Sequence, residues 1–169
     1  RQVRPHELRL VEVVVPVGVQ RRLPNDVVVV AELKELPLLG INLREGGNHS
    51  GNWGGVLGNP ATILCNAIAS LVDGKGRMKL DALKPPRISN AVRAALADVK
   101  IEPTADEPQL AEDWGEEGLT PAERLFAWNT LEVLAMSSGD IEKPANAIPG
   151  RANAVLQLRF VVGTRYEEV

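Results

Sequence analysis

The hydrophobic pattern changes character along the chain, and each change predicts a different element. Residues 1–39 are rich in valine and punctuated by Pro5, Pro16, Pro24 and Pro37. Leu8 to Val15 and Asp26 to Ala31 are nearly continuous apolar runs, which predict strands covered on both faces. Ile41 to Glu45 predicts a short strand with Ile41 and Leu43 on one side. From Pro60 the period becomes helical: Leu64, Ile68, Leu71 and Val72 fall on one face. Asn59 is placed to cap that helix, Pro60 fits its first turn, and Gly74 is placed to close it. Ser89 predicts the cap of a second helix to about Val99, with Val92, Ala95, Leu96 and Val99 inward. Glu102 to Gly118 is acidic, contains Pro103 and Pro108, and reads as an exposed loop. Thr120-Pro121-Ala122-Glu123 is a capping box opening a short helix through Leu125 and Phe126.

The period then returns to two. Leu131 to Met136 predicts a strand, and Ser137-Ser138-Gly139-Asp140 a turn. Beyond Pro149-Gly150, Ala154, Leu156, Leu158, Phe160 and Val162 point one way, while Asn153, Gln157 and Arg159 point the other. Thr164 is placed to cap a last helix. These elements predict an α+β fold: an antiparallel sheet of about four strands with helices packed on one face and the other face open. The chain divides into a strand-rich segment, 1–39, and an α+β domain, 40–169.

Composition narrows the function classes. Aromatic residues make up only 4% of the 169, so the core has to be aliphatic, and Trp53, Trp114 and Trp128 read as packing residues. A net charge of -3 argues against a nucleic-acid partner, which favours a basic surface. No apolar run approaches the roughly 18 residues that span a bilayer, so no membrane partner is expected. Cys65 is the only cysteine and sits among Ile63, Leu64, Ala67 and Ile68, which predicts a buried, structural thiol. Without a possible internal disulfide the chain fits a reducing cytoplasm. Its start, Arg1-Gln2-Val3-Arg4-Pro5, has neither an initiator Met nor a signal-peptide layout, and reads as the interior of a longer protein.

Between the third strand and the first helix lies Gly46-Gly47-Asn48-His49-Ser50-Gly51-Asn52-Trp53-Gly54-Gly55, with five glycines in ten residues. Such a density marks positive φ or close backbone approach. Taken alone, His49 reads as a loop histidine that hydrogen-bonds its own turn, Asn146 as a turn residue before Pro149, and Arg159 as a solvated charge on a sheet face.

The stretch from Asn48 to Gly55, followed by Asn59-Pro60 and an amphipathic helix, resembles the His-Ser-Gly-x-x-Gly-Gly…Asn-Pro element of the lid domain in the zinc-dependent aminoacylase, carnosine-dipeptidase and carboxypeptidase superfamily. Asn146-Ala147-Ile148-Pro149-Gly150, then Leu158-Arg159-Phe160-Val161-Val162-Gly163, resembles the Asn/Thr-x-Ile-Pro…Arg-x-Val-Pro-Gly strand of the same lid, and Tyr166-Glu167-Glu168-Val169 looks like the helix start that follows. The resemblance covers about residues 40 to 169 and implies a ferredoxin-like lid and dimerisation domain, with 1–39 a remnant of the catalytic domain. It implies a homodimer, a peptide or N-acyl amino acid substrate, and zinc in the parent enzyme. It also implies that His49 reaches into the partner's site to stabilise the oxyanion of the intermediate, as an imidazolium would. Asn146 then binds the substrate, and Arg159 holds its free carboxylate, for which a planar guanidinium is well shaped.

The metal itself is not expected in this chain. A two-zinc site needs about five carboxylate and imidazole ligands in a fixed cage. His6 and His49 are the only histidines, and neither lies in a His-x-Asp motif. Glu116-Glu117 and Glu167-Glu168 match the family's catalytic glutamate pair by letters only, at the wrong place in the chain. The chain alone should therefore be inactive. A Gly-x-Arg-Gly strand usual before the His-Ser-Gly loop is also missing, since Leu38-Leu39-Gly40 runs straight into Ile41. The alternative function is a stand-alone α+β ligand-binding or regulatory module without catalysis, which the missing ligands and the open sheet face would suit.

Overall fold

The computed structural model describes residues 17–22 and 28–164, with side chains described for 39–164. The strand expected at Leu8 to Val15 and the helix expected after Thr164 lie outside the described residues. Strand β1, Val17–Arg22, pairs antiparallel with β2, Val28–Asn42, in a register from Val17 opposite Leu33 to Arg22 opposite Val28. The two strands expected at 26–31 and 41–45 are thus one continuous strand. Pro37 lies within it.

Four further strands follow: β3, Asn48–His49; β4, Thr130–Ser137; β5, Ala147–Ile148; and β6, Arg151–Val161. The main sheet has the order β1-β2-β6-β4, and β3 with β5 makes a separate two-stranded ribbon. Ser138 Oγ donates to the Arg151 carbonyl at one end of β4, and Val161 N–H donates to Asn129 Oδ1 at the other, so β4 and β6 run antiparallel. The α+β fold with an antiparallel sheet is therefore as expected. Along β6, Ala152, Ala154, Leu156, Leu158 and Phe160 are buried, whereas Asn153, Gln157 and Arg159 are half-buried rather than open to solvent. Val162 falls past the end of the strand and is exposed, so it leaves the inward row. Strand β4 is the outer strand of the order and exposes Val133, Leu134 and Met136.

The helices are α1, Ser50–Trp53; α2, Pro60–Leu71; α3, Asn90–Leu96; and α4, Pro121–Phe126. Helix α2 starts where Asn59 Oδ1 accepts from the N–H of Ala61 and Thr62, at 3.0 and 3.4 Å. Leu64 is buried and Cys65 exposed. The buried thiol expected from its apolar neighbours is therefore corrected: one residue along a helix turns the side chain by about 100°, from the core face to solvent. Gly74 is not the helix stop either. The chain turns through Asp73–Gly76 instead, with Asp73 Oδ1 accepting from Lys75 and Arg77 N–H and Gly76 at φ 72°. Those two hydrogen bonds hold the Asp73 carboxyl below its ordinary pKa.

The described residues group into two compact units, one of Glu35–Ala69 with Val133–Gln157, the other of 17–22, 28–34, Ser70–Glu132 and 158–164. In the second unit α3 and α4 pack through Ile88, Leu96, Ala122, Phe126 and Ala127, with Val92, Val99 and Trp128 around them. Helix α3 stops at Leu96, not Val99, yet all four expected inward residues are half-buried or buried. Glu123 completes the capping box of α4, its Oε2 accepting from Thr120 N–H at 2.8 Å. Its other oxygen takes Arg93 of α3 at 2.7 Å.

Asn129, just before β4, ties this unit together. Its buried amide donates to the Leu83 carbonyl and Thr164 Oγ1 at 2.8 and 3.0 Å, and accepts from Val161 N–H at 2.9 Å. Asn129→Leu keeps the volume but strands a buried carbonyl and a buried N–H. We expect a loss of about 2–4 kcal/mol in denaturant titration. A loss below about 0.5 kcal/mol would show that these backbone groups find other partners.

Candidate functional site

The glycine-rich segment is held against the Ile-Pro-Gly segment within the first unit. Asn48 pairs with Ile148 and His49 with Ala147. Upstream, Leu43 and Arg44 N–H both donate to the Gly150 carbonyl, at 3.0 and 3.3 Å, and Arg44 Nη2 donates to the Pro149 carbonyl at 3.1 Å and the Gly58 carbonyl at 3.0 Å. Downstream, Ser50 donates to the Asn146 carbonyl through its backbone N–H at 2.8 Å and its Oγ at 3.1 Å.

Close approach explains the glycines. A Cβ on Gly150 would fall on the carbonyl oxygens of Arg44 and Gly46, and one on Gly47 would lie 3.1 Å from the Ala147 Cβ. Only Gly46 and Gly55 in this stretch need a left-handed backbone, at φ 66° and 78°.

This clamp presents His49 and Asn146 side by side in the chain pairing, both exposed. His49 caps α1, its Nδ1 accepting from Gly51 N–H at 3.1 Å. The turn-bonding histidine read from its local sequence is thus what the geometry contains. That bond has a chemical consequence. It ties the ring to its own turn through Nδ1 and leaves Nε2 as the nitrogen able to meet a ligand.

Arg159 is on β6 in the second unit, half-buried and beside Glu132 of β4. Burial raises the Glu132 carboxyl above its ordinary pKa, and the Arg159 charge pulls it down. Arg159 is therefore on the side of the strand expected for it, but with a neighbouring carboxylate that the one-strand pattern did not reveal.

Sequence reasoning missed Arg44, Ser50 and Gly150 as the parts that build the clamp. Gly150 carried a signal in the Pro-Gly pair; Arg44 carried none. Trp53 and Trp114 are about half exposed, at 45% and 51%; the Trp114 ring lies against Gly76, and Trp128 packs on the α3–α4 core. A cleft of about 830 Å³ opens in the first unit, lined by Arg44, Glu45, Asp140, Lys143 and Arg151 among others, and His49 and Asn146 are not among its lining residues.

Among the described residues, no cluster of three or more His, Cys, Asp or Glu could hold a metal ion. No described helix is long and apolar enough to cross a membrane.

The clamp, the capped histidine and the sheet define a lid-type α+β domain. The family model for the peptidase dimerisation domain of M20 peptidases matches residues 41–169, and the chain belongs to this family. No curated protein sequence matches it. Among solved structures it is similar to an M20 family metallo-carboxypeptidase from Sulfolobus solfataricus, at 18% identity and TM-score 0.57 over 88% of this chain and 36% of that one. It is similar to human carnosine dipeptidase 1, at 17% identity and TM-score 0.57 over 92% of this chain and 31% of that one. It is also similar to a dipeptidase from Saccharomyces cerevisiae, at 19% identity and TM-score 0.54 over 76% of this chain and 28% of that one. At these identities the likeness concerns the fold, and the chain spans only about a third of the length of these relatives.

Proposed function

We propose that the chain serves as the lid and dimerisation domain of a two-zinc metallopeptidase or amidohydrolase that cleaves a peptide or amide bond next to a free carboxylate. Residues 40–169 form the lid in this reading, and 1–39 belong with the catalytic domain. Two copies associate as a homodimer, and the zinc ions are held by residues outside this chain. The substrate is a peptide or an N-acyl amino acid.

The observation that carries the reading is the clamp that fixes an exposed His49 next to Asn146. A histidine with Nδ1 tied to its own turn has lost much of its rotamer freedom. Its Nε2–H is then a preorganised donor toward a partner's substrate, where charge develops on the carbonyl oxygen as water adds. Asn146, with its backbone carbonyl engaged by Ser50, keeps its side-chain amide for the substrate. Arg159 takes the substrate carboxylate, and Glu132 beside it orients the guanidinium.

The carboxylate claim is testable in a full-length enzyme carrying this domain. Arg159→Met is expected to raise KM at least about tenfold for a substrate with a free carboxylate. The same substitution leaves the poor turnover of the corresponding carboxamide nearly unchanged. Equal losses on both substrates would remove Arg159 from carboxylate recognition.

A further inference from the structure

The second unit contains a cleft of about 520 Å³ to which neither His49, Asn146 nor Arg159 contributes. Trp114 and Trp128 line it together with Leu110 and Leu125. Trp114, Leu110 and Leu125 are each at least 40% exposed, so apolar surface faces the opening. Its charged groups are mainly acidic: Glu112, Glu116 and Glu132.

The one lining cation, Arg124, is directed to backbone. Its Nε donates to the Glu116 carbonyl at 2.9 Å and its Nη1 to the Trp114 carbonyl at 2.6 Å. Arg124 therefore shapes the loop 114–116 instead of pairing with the carboxylates. Glu132 has Arg159 beside it and Glu116 lies within range of the charge of Lys84, which is itself paired with Asp81 at 2.8 Å; Glu112 and Glu116 are the acidic groups of interest. One carboxylate oxygen of Glu116, Oε2, is buried and accepts no hydrogen bond among the described residues. A buried acceptor in that state is uncommon, because it forgoes both water and a donor.

Indole rings, aliphatic walls and a buried carboxylate oxygen call for the same chemistry. An ammonium is attracted by the ring quadrupole and hydrogen-bonds the carboxylate, while its hydrocarbon body removes apolar surface from water. We infer that this cleft binds an organic ammonium with an apolar body, either a free amine or the basic side chain of a peptide. An anionic ligand is disfavoured by Glu112 and Glu116, and a neutral one leaves Glu116 without its donor.

The test uses the whole chain as the Trp53→Phe variant, so that the fluorescence reports on Trp114 and Trp128. Phenethylamine, 2-phenylethanol and 3-phenylpropionate are titrated in parallel, with a capped lysine amide as a further arm. The expected result is saturable binding of phenethylamine below about 10 mM, at least about tenfold tighter than the alcohol or the carboxylate. Glu116→Gln should weaken the amine about tenfold while leaving the alcohol unchanged. Binding of the capped lysine as well assigns the cleft to peptide side chains, and its failure beside bound phenethylamine assigns it to free amines. Equal binding of amine and alcohol, or no binding of the amine, overturns the inference. The comparison on the unsubstituted cleft decides this even where Glu116→Gln fails to fold.

Discussion

Replacing His49 by alanine in a full-length enzyme carrying this domain is expected to lower kcat at least about 100-fold, with zinc content and folding unchanged. Such a loss corresponds to about 2.7 kcal/mol of transition-state stabilisation, the scale of one preorganised oxyanion donor. The fold should tolerate the change, because the only hydrogen bond shown for the ring is to Gly51 N–H at an exposed turn. His49→Asn separates the two roles. Asparagine can still accept from Gly51 as a helix cap, but it has no ring N–H at the position of Nε2. It should restore any lost stability and none of the turnover. Recovery of turnover by asparagine would make His49 a structural cap only.

The second large effect concerns the clamp. Gly150→Ala is expected to destabilise the chain by at least about 3 kcal/mol, since its Cβ would meet two backbone carbonyl oxygens. Backbone cannot rotate away as a long side chain can, and the Arg44 and Gly46 carbonyls belong to the segment that the Gly150 carbonyl itself anchors through Leu43 and Arg44. Gly55→Ala supplies the comparison. That residue has φ 78° but nothing within 4 Å of its Cβ position, so only the left-handed backbone is penalised, by about 1–2 kcal/mol. Urea titrations of both variants would show whether crowding at Gly150 exceeds conformational strain at Gly55. Equal midpoints would mean that the clamp is looser than its geometry indicates.

These two positions mark the limits of what local sequence reveals. Helices α2 and α4 and strand β6 were legible because their signals are local: a cap, a proline in the first turn, and a period of two interrupted only by Val155 and Val161. Each involves residues within a few positions of one another. The clamp is different. Its glycines announced close approach, but what approaches is a segment about a hundred residues away, and β5 has too few residues to show a period. Asn129 was invisible for the same reason, since its partners Leu83, Val161 and Thr164 converge only in three dimensions. Cys65 was misread because apolar neighbours in sequence are not neighbours on a helix surface. The long strand β2 was hidden by Pro37, which lies within the strand without ending it. His49 was legible twice over, as a turn histidine and by resemblance, and the geometry adds which nitrogen its own turn engages.

The central claim is that this domain acts on a partner's active site, and mixed dimers test it most directly. One full-length chain carries His49→Ala with its metal centre intact, and the other carries an intact lid with its metal centre disabled. Each homodimer is inactive, whereas a mixed dimer holds one complete site. The account predicts that co-expression restores about a quarter of wild-type activity, the share expected from random pairing. Activity no higher than that of the separate homodimers would contradict it.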